Sequence, residues 1–239
     1  ISFNITETNV IVECVMQITP CLSHSEPLVL NGIDINLIEL FVDNIQTNNY
    51  SYDGHELVLD KPPDVSFELK IISKINPFLN TSLEGLYFSS NILTTQCEAE
   101  GFRRICFHPD RPDILSKYRV RIEAERNKYP ILLSNGNHIS SSKLSSNSSR
   151  HEVIWYDPYP KPSYLFALVA GDLSKVTDSY LTASGREIAI HIYVEKGDEN
   201  YTKHAIESLK KAMKWDEKNY SLEYDLDEYK IVAIRHFNM

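Results

Sequence analysis

A mainly β chain, with an antiparallel sandwich first and a strand, helix, strand unit last, is what the distribution of apolar residues predicts. Three observations carry that reading. Apolar residues recur with a period near two in stretch after stretch up to about residue 172. Turn pairs such as Asn31-Gly32, Asp53-Gly54 and Asn135-Gly136 fall between those stretches. Only one segment, 199–220, has helical spacing.

Taken in order, 9–18 sets Val10, Val12, Cys14 or Val15, and Ile18 near alternate positions, the spacing of a half-buried strand. Comparable stretches at 37–42, 56–59, 65–72, 118–124, 153–155, 165–169 and 188–194 predict further strands. Many short strands separated by turn residues predict an antiparallel all-β domain of the sandwich kind over 1–172. Segment 138–151 carries seven serines and almost nothing apolar, which predicts the mobile tip of a hairpin. In 199–220, Ala205, Ile206, Leu209, Ala212 and Met213 share one face at spacings of three and four, and 230–235 returns to a strand. A helix after so many strands marks a change of architecture, so the expected units are 1–172 and 173–239, divided near Gly171-Asp172.

Composition excludes several classes. The 239 residues are 42% hydrophobic and 24% charged, enough for a proper core and unlike a disordered chain. A net charge of -9 argues against a nucleic-acid partner, whose affinity comes from clustered Lys and Arg. No apolar run approaches the roughly 20 residues of a membrane-spanning helix, and an opening of Ile1-Ser2-Phe3 reads as a piece of something longer. Cys14, Cys21, Cys97 and Cys106 form no CxxC pair and no dense framework, which predicts reduced thiols in a cytoplasmic protein. N-x-S/T triplets begin at Asn4, Asn49, Asn80, Asn147, Asn200 and Asn219, as chance produces in a chain this rich in Asn and Ser.

Complete catalytic motifs are missing. His55-Glu56 and His151-Glu152 begin like a zinc-protease helix, but neither has the second His one turn later, and both lie in strand patterns. The other His residues have no ligand spacing, and neither a nucleophile elbow nor a phosphate loop nor a dinucleotide fingerprint occurs.

One set of segments is specific. Leu83-Glu84-Gly85-Leu86-Tyr87, Thr95-Gln96-Cys97-Glu98-Ala99-Glu100-Gly101-Phe102-Arg103 and Asp110-Arg111-Pro112-Asp113 follow one another. After them come Tyr129-Pro130 with Leu132 to Asn137, Asp157-Pro158 with Pro160 to Asp172, and Met213-Lys214-Trp215-Asp216-Glu217. In order and spacing, from about Asn9 onward, this resembles the aminopeptidase N family of zinc metallopeptidases, most closely its bacterial and protozoan alanyl-type branch.

The resemblance implies a saddle-like N-terminal β domain over 1–172 and, over 173–239, the start of a thermolysin-like catalytic domain. It implies a broad-specificity enzyme that removes single residues from peptides with a free N-terminus. The zinc of the whole enzyme and its ligands would lie beyond Met239, with the rest of the catalytic domain, so this piece alone would bind no metal and be inactive. The substrate-binding residues implied are Glu98, for the α-ammonium of the substrate, Gln96, as the accompanying acceptor, and Met239, at the pocket for the first side chain. Glu100 matches the motif without an amine-binding role, and the peptide bond between Glu98 and Ala99 is implied to be cis. Arg235-His236 departs from the acidic and aromatic residues common before Phe237-Asn238-Met239. The alternative is a non-catalytic scaffold that has lost its zinc site, against which intact Gln96 and Glu98 speak. The epoxide-hydrolysing branch, with Gln-Cys-Gln in place of Gln96-Cys97-Glu98, fits less well.

Overall fold

In this computed structural model the described residues are 1–20, 26–144 and 149–237. The first ten strands are β1 (Ser2–Ile5), β2 (Val10–Ile18), β3 (Leu28–Asn31), β4 (Asn36–Val42), β5 (Ile45–Gln46), β6 (Tyr50–Tyr52), β7 (Glu56–Leu59), β8 (Phe67–Ile75), β9 (Gly85–Ser89) and β10 (Ile92–Gln96). Then come β11 (Leu115–Glu125), β12 (Ile131–Ser134), β13 (Asn137–Lys143), β14 (Arg150–Pro162), β15 (Leu168–Gly171), β16 (Ser174–Leu181) and β17 (Glu187–Val194). The helix α1 (Lys203–Tyr220) and strand β18 (Glu228–Val232) complete the set, and the mainly β architecture expected is what the chain adopts.

Alternating burial builds the largest layer, a sheet ordered β13-β14-β11-β1-β2-β8-β4-β5. Val10, Val12 and Cys14 of β2 face inward with Leu69 and Ile71 of β8 and Val120, Ile122 and Ala124 of β11. A four-stranded sheet, β12-β15-β10-β9, contributes Leu93, Leu132, Leu168 and Ala170 to the same core. A small sheet, β3-β7-β6, adds Leu30 and Leu57. The last sheet, β16-β17-β18, has its own cluster, in which Ile192 and Val194 meet Ile206 of α1, with Val176, Ala205 and Ile231 against them.

Several expectations need correction. The first 172 residues are not wholly antiparallel, because β1 runs parallel to β11 with Phe3 opposite Ile122. Its Phe3 and Ile5 are fully buried, but four residues are too few to display a period. The serine-rich 138–151 lies in a hairpin, as expected, but much of it is paired strand and not the tip. Residues of β13 pair with β14 from Asn137 opposite Tyr156 to Lys143 opposite His151, while 145–148 lie outside the described residues. An edge strand with an exposed outer face needs no apolar side chains, and polar ones protect it from pairing with other chains. In α1, Ile206 and Met213 are buried, Leu209 is half-buried and Ala212 is exposed, so the apolar face is narrower than its spacing suggested. The strand expected at 230–235 is β18, ending at Val232, and the one at 165–169 begins only at Leu168, after a short 3-10 turn.

Candidate functional site

The site begins where β10 ends. Register pairs Ile92 with Ser89, Thr94 with Tyr87 and Gln96 with Gly85. Because alternate strand residues share a face, Gln96, Tyr87 and Ser89 lie on one side of the four-stranded sheet. The Tyr87 and Ser89 hydroxyls each donate to the His236 carbonyl at 3.3 Å, so the segment after β18 crosses that same face. Gln96 is buried, and the chain past it turns outward through buried Cys97 to exposed Glu98, Ala99 and Glu100. The Glu98–Ala99 bond is cis, as the resemblance implied. Met239 lies outside the described residues.

The turn closes by contact with its own strand. Gly101 N donates to Cys97 O at 2.8 Å, and a Cβ on Gly101 would stand 2.4 Å from Gln96 O and 2.8 Å from Gly85 N. Only glycine permits that approach. Next, a single 3-10 turn, Phe102–Arg104, anchors the loop to the body. Phe102 is fully buried, edge-on to His108, Tyr118 and Phe166 with ring centroids 5.1 to 6.1 Å apart.

Both arginines of this turn are committed. The buried Asp110 carboxylate accepts from Arg103 N and Arg103 Nε, each at 3.1 Å, and from the Ser163 hydroxyl. Arg103 also meets Glu100 at 3.2 Å. Arg104 Nε donates to Glu84 Oε2 at 3.2 Å, and its other arm reaches Asp34. Among the described residues none forms an ion pair with Glu98. An exposed carboxylate without an ion-pair partner, two residues after a buried amide whose oxygen can accept a hydrogen bond, has the chemistry to meet a cation.

The other reactive groups nearby are quiet. Burial pushes the Cys97 thiol far above its ordinary range, so it stays protonated and is no nucleophile. Cys14 and Cys106 share a hydrogen bond that lowers the first and, with burial, raises the second well above the thiol range. Burial also pushes His108 down, which keeps its imidazole neutral. Among the described residues no group of three or more His, Cys, Asp or Glu is placed to hold a metal ion.

Sequence reasoning singled out Gln96 and Glu98 and gave no role to Tyr87, Ser89, Asp110 or Ser163. Tyr87, Asp110 and Ser163 stood inside the motif segments, and the polar signal was there: residues buried this deeply are kept polar only where they have partners.

The family model of the peptidase M1 N-terminal domain matches residues 2–165. The chain belongs to the M1 peptidase family, that of aminopeptidase N. This M1 chain is 45% identical over 239 residues to aminopeptidase N of Escherichia coli K12, covering all of itself and 27% of that protein. It superposes on the crystal structure of Legionella pneumophila aminopeptidase A in complex with aspartic acid with a TM-score of 0.92 at 34% identity, over 100% of this chain and 28% of that one. An M1 zinc metallopeptidase from Deinococcus radiodurans gives a TM-score of 0.81 at 11% identity, over 100% of this chain and 56% of that one, a likeness of fold. The M1 chain thus spans about a quarter of the length of its curated relatives.

Proposed function

We propose that the chain is the front part of a zinc-dependent, broad-specificity aminopeptidase of the cytoplasm that removes N-terminal residues from peptides. Residues 1–172 serve as its N-terminal β domain and 173–239 as the start of its catalytic domain. The part played by the chain is recognition of the substrate's α-ammonium: Glu98 supplies the countercharge and Gln96 an acceptor, while Met239 borders the first side-chain pocket. The observation that carries this reading is the unpaired carboxylate of Glu98 beside buried Gln96, on a loop whose two arginines are held elsewhere. Fixing the amine sets the first peptide bond at a constant distance from it, which is how an exopeptidase counts one residue. Zinc and the groups that break the bond come from sequence outside this chain, and the 239 residues alone are inactive. In support, no described helix is long and apolar enough to cross a membrane.

The test is kinetic, in the full-length protein. Glu98→Gln keeps the shape and removes the charge, and is expected to lower kcat/KM for an alanyl substrate on the order of 10²-fold, the scale of one lost partner in a desolvated charge pair. Glu100→Gln removes the same charge two residues away and is expected to stay within about twofold, since its partner is Arg103. Equal losses in the two variants, or none in Glu98→Gln, reject the assignment.

A further inference from the structure

The last sheet meets the rest of the molecule across a gap. A cleft of about 390 Å³ lies between them, bordered by Leu133, Leu168 and Val169 on one side and by Tyr224 and Val232 on the other. Where apolar packing is interrupted, polar contacts at the rim must set the register. They concentrate on one turn. Asn137 Nδ2 donates to Asp227 Oδ2 at 2.8 Å, and Asp227 N donates back to Asn137 Oδ1 at 2.9 Å. His138 N donates to Glu228 Oε1 at 2.9 Å. Lys230 Nζ donates to Gly136 O at 2.6 Å and stands 4.1 Å from the centre of the Trp155 ring. The turn is itself pressed on β14: Gly136 has φ +82, and a Cβ there would fall 2.2 Å from Tyr156 O. It is a rigid grip.

We propose that Lys230 is a positioning residue: with Asp227 and Glu228 it clasps the turn at 136–138, and this clasp fixes the last sheet, with the segment running on to His236, over the sheet face that carries Gln96. Within the clasp, Lys230 is the buried cation. Its ammonium is enclosed by Trp155 and by backbone, with Glu228 3.9 Å away on its own strand. Of the charged groups on the elements packed around it, Glu228 and, on β14, Asp157 favour the charged amine, although Asp157 is also paired with Lys161, and Lys175 on β16 opposes the charge. His191 on β17 stands 3.8 Å from Glu228, and the His138 ring is edge-on to Trp155 at 5.4 Å. Burial is the largest influence and brings the Lys230 amine down to about 8.

The direction follows from linkage. An amine that holds its proton less tightly in the clasped form than in water favours release while protonated and favours the clasp once neutral. The grip therefore tightens as pH rises through about 8, and goes on tightening until a solvated lysine, near 10.5, would also lose its proton.

The experiment uses full-length protein labelled with 5-fluorotryptophan, the Trp155 resonance being assigned by its loss in Trp155→Phe. Its ¹⁹F shift is expected to show a step with a midpoint of about 8, read in a His138→Gln background because that ring touches Trp155, and the step is expected to be absent in both Lys230→Met and Lys230→Arg. Hydrogen exchange, corrected for intrinsic rates, is expected to show protection of the segments around 87, 137 and 236 rising on the order of tenfold between about pH 7 and about pH 9.5 in the wild type and in neither variant. A ¹⁹F step that persists without Lys230, or wild-type protection that does not change with pH, overturns the proposal. Neither readout uses substrate, so this outcome is independent of whether the proposed peptidase activity is found.

Discussion

Replacing Asp110 by Asn tests whether the loop of Glu98 is held from below. The side chain of Asp110 is 1% exposed and that of Arg103 is 16% exposed, so their pairing is largely desolvated. Asparagine conserves volume, which removes any cavity contribution, and its oxygen still accepts from Arg103 while the Ser163 hydroxyl rotates to accept from its NH₂. What disappears is the charge opposite Arg103. Glu100 remains 3.2 Å from that guanidinium, but at 68% exposure it compensates little. Charge-assisted hydrogen bonds contribute about 1.5–3 kcal/mol, and breaking a buried pair costs about 3–5, so the expected loss is about 3 kcal/mol. Urea unfolding is expected to show a midpoint lower by about 1 M at unchanged slope. Arg103→Met in the Asp110→Asn background is expected to cost much less than in the wild type, since the stranded cation is then gone. A loss below about 1 kcal/mol, or strictly additive effects in that cycle, refutes the idea that this pair fixes the loop.

Gly101→Ala places a methyl carbon against the Gln96 carbonyl and is expected to destabilise by about 1–3 kcal/mol, read from the same urea curves. Tyr87→Phe with Ser89→Ala frees the His236 carbonyl and is expected to speed hydrogen exchange of the 233–237 segment while the global midpoint moves by at most about 1–2 kcal/mol. Cys14, Cys97 and Cys106 are buried, and native protein is expected to react with an aromatic disulfide reagent at these positions only on the timescale of unfolding. For Lys230 the unfolded chain binds the proton more tightly than the native one between about 8 and 10.5, so stability attributable to this residue rises with pH across that window. The ceiling is about 3 kcal/mol, measured as the pH-dependent difference in unfolding free energy between the wild type and Lys230→Met.

The sequence displayed those elements whose two faces differ. β2, β8 and β11 alternate buried with exposed or half-buried residues and were legible as strands. Of the four-stranded sheet only β15 was, in part. All five residues of β10 are buried, as are four of five in β9 and three of four in β12, so nothing in their hydropathy alternates. This is the sheet that carries Gln96. Local pattern reading is weakest where a strand is enclosed on both faces, and here that was the site. Motif spacing singled out Gln96 and Glu98 there, because close approach at Gly101 and chemistry leave identities in place of a period. The clasp at 136–138 had a turn signal in Asn135-Gly136, but its partners stand 90 or more positions away, beyond any local pattern.

Enclosure also explains why the exposed carboxylate is well placed. Asp34, Glu84, Glu100 and Asp110 engage Arg103 and Arg104, and with Glu98 the loop and its supports carry five carboxylates against two guanidinium groups. Each arginine engages two acids, and Glu98 is the one left over. Had an arginine engaged Glu98, an arriving ammonium would first have to displace it, and little net attraction would remain. With the arginines engaged by four other acids, the residual charge of the loop is negative. Under the proposed function a ligand cation then meets a carboxylate with no existing pair to break. The anchoring pairs beneath the loop and the unpaired carboxylate of Glu98 are thus two consequences of one distribution of charge.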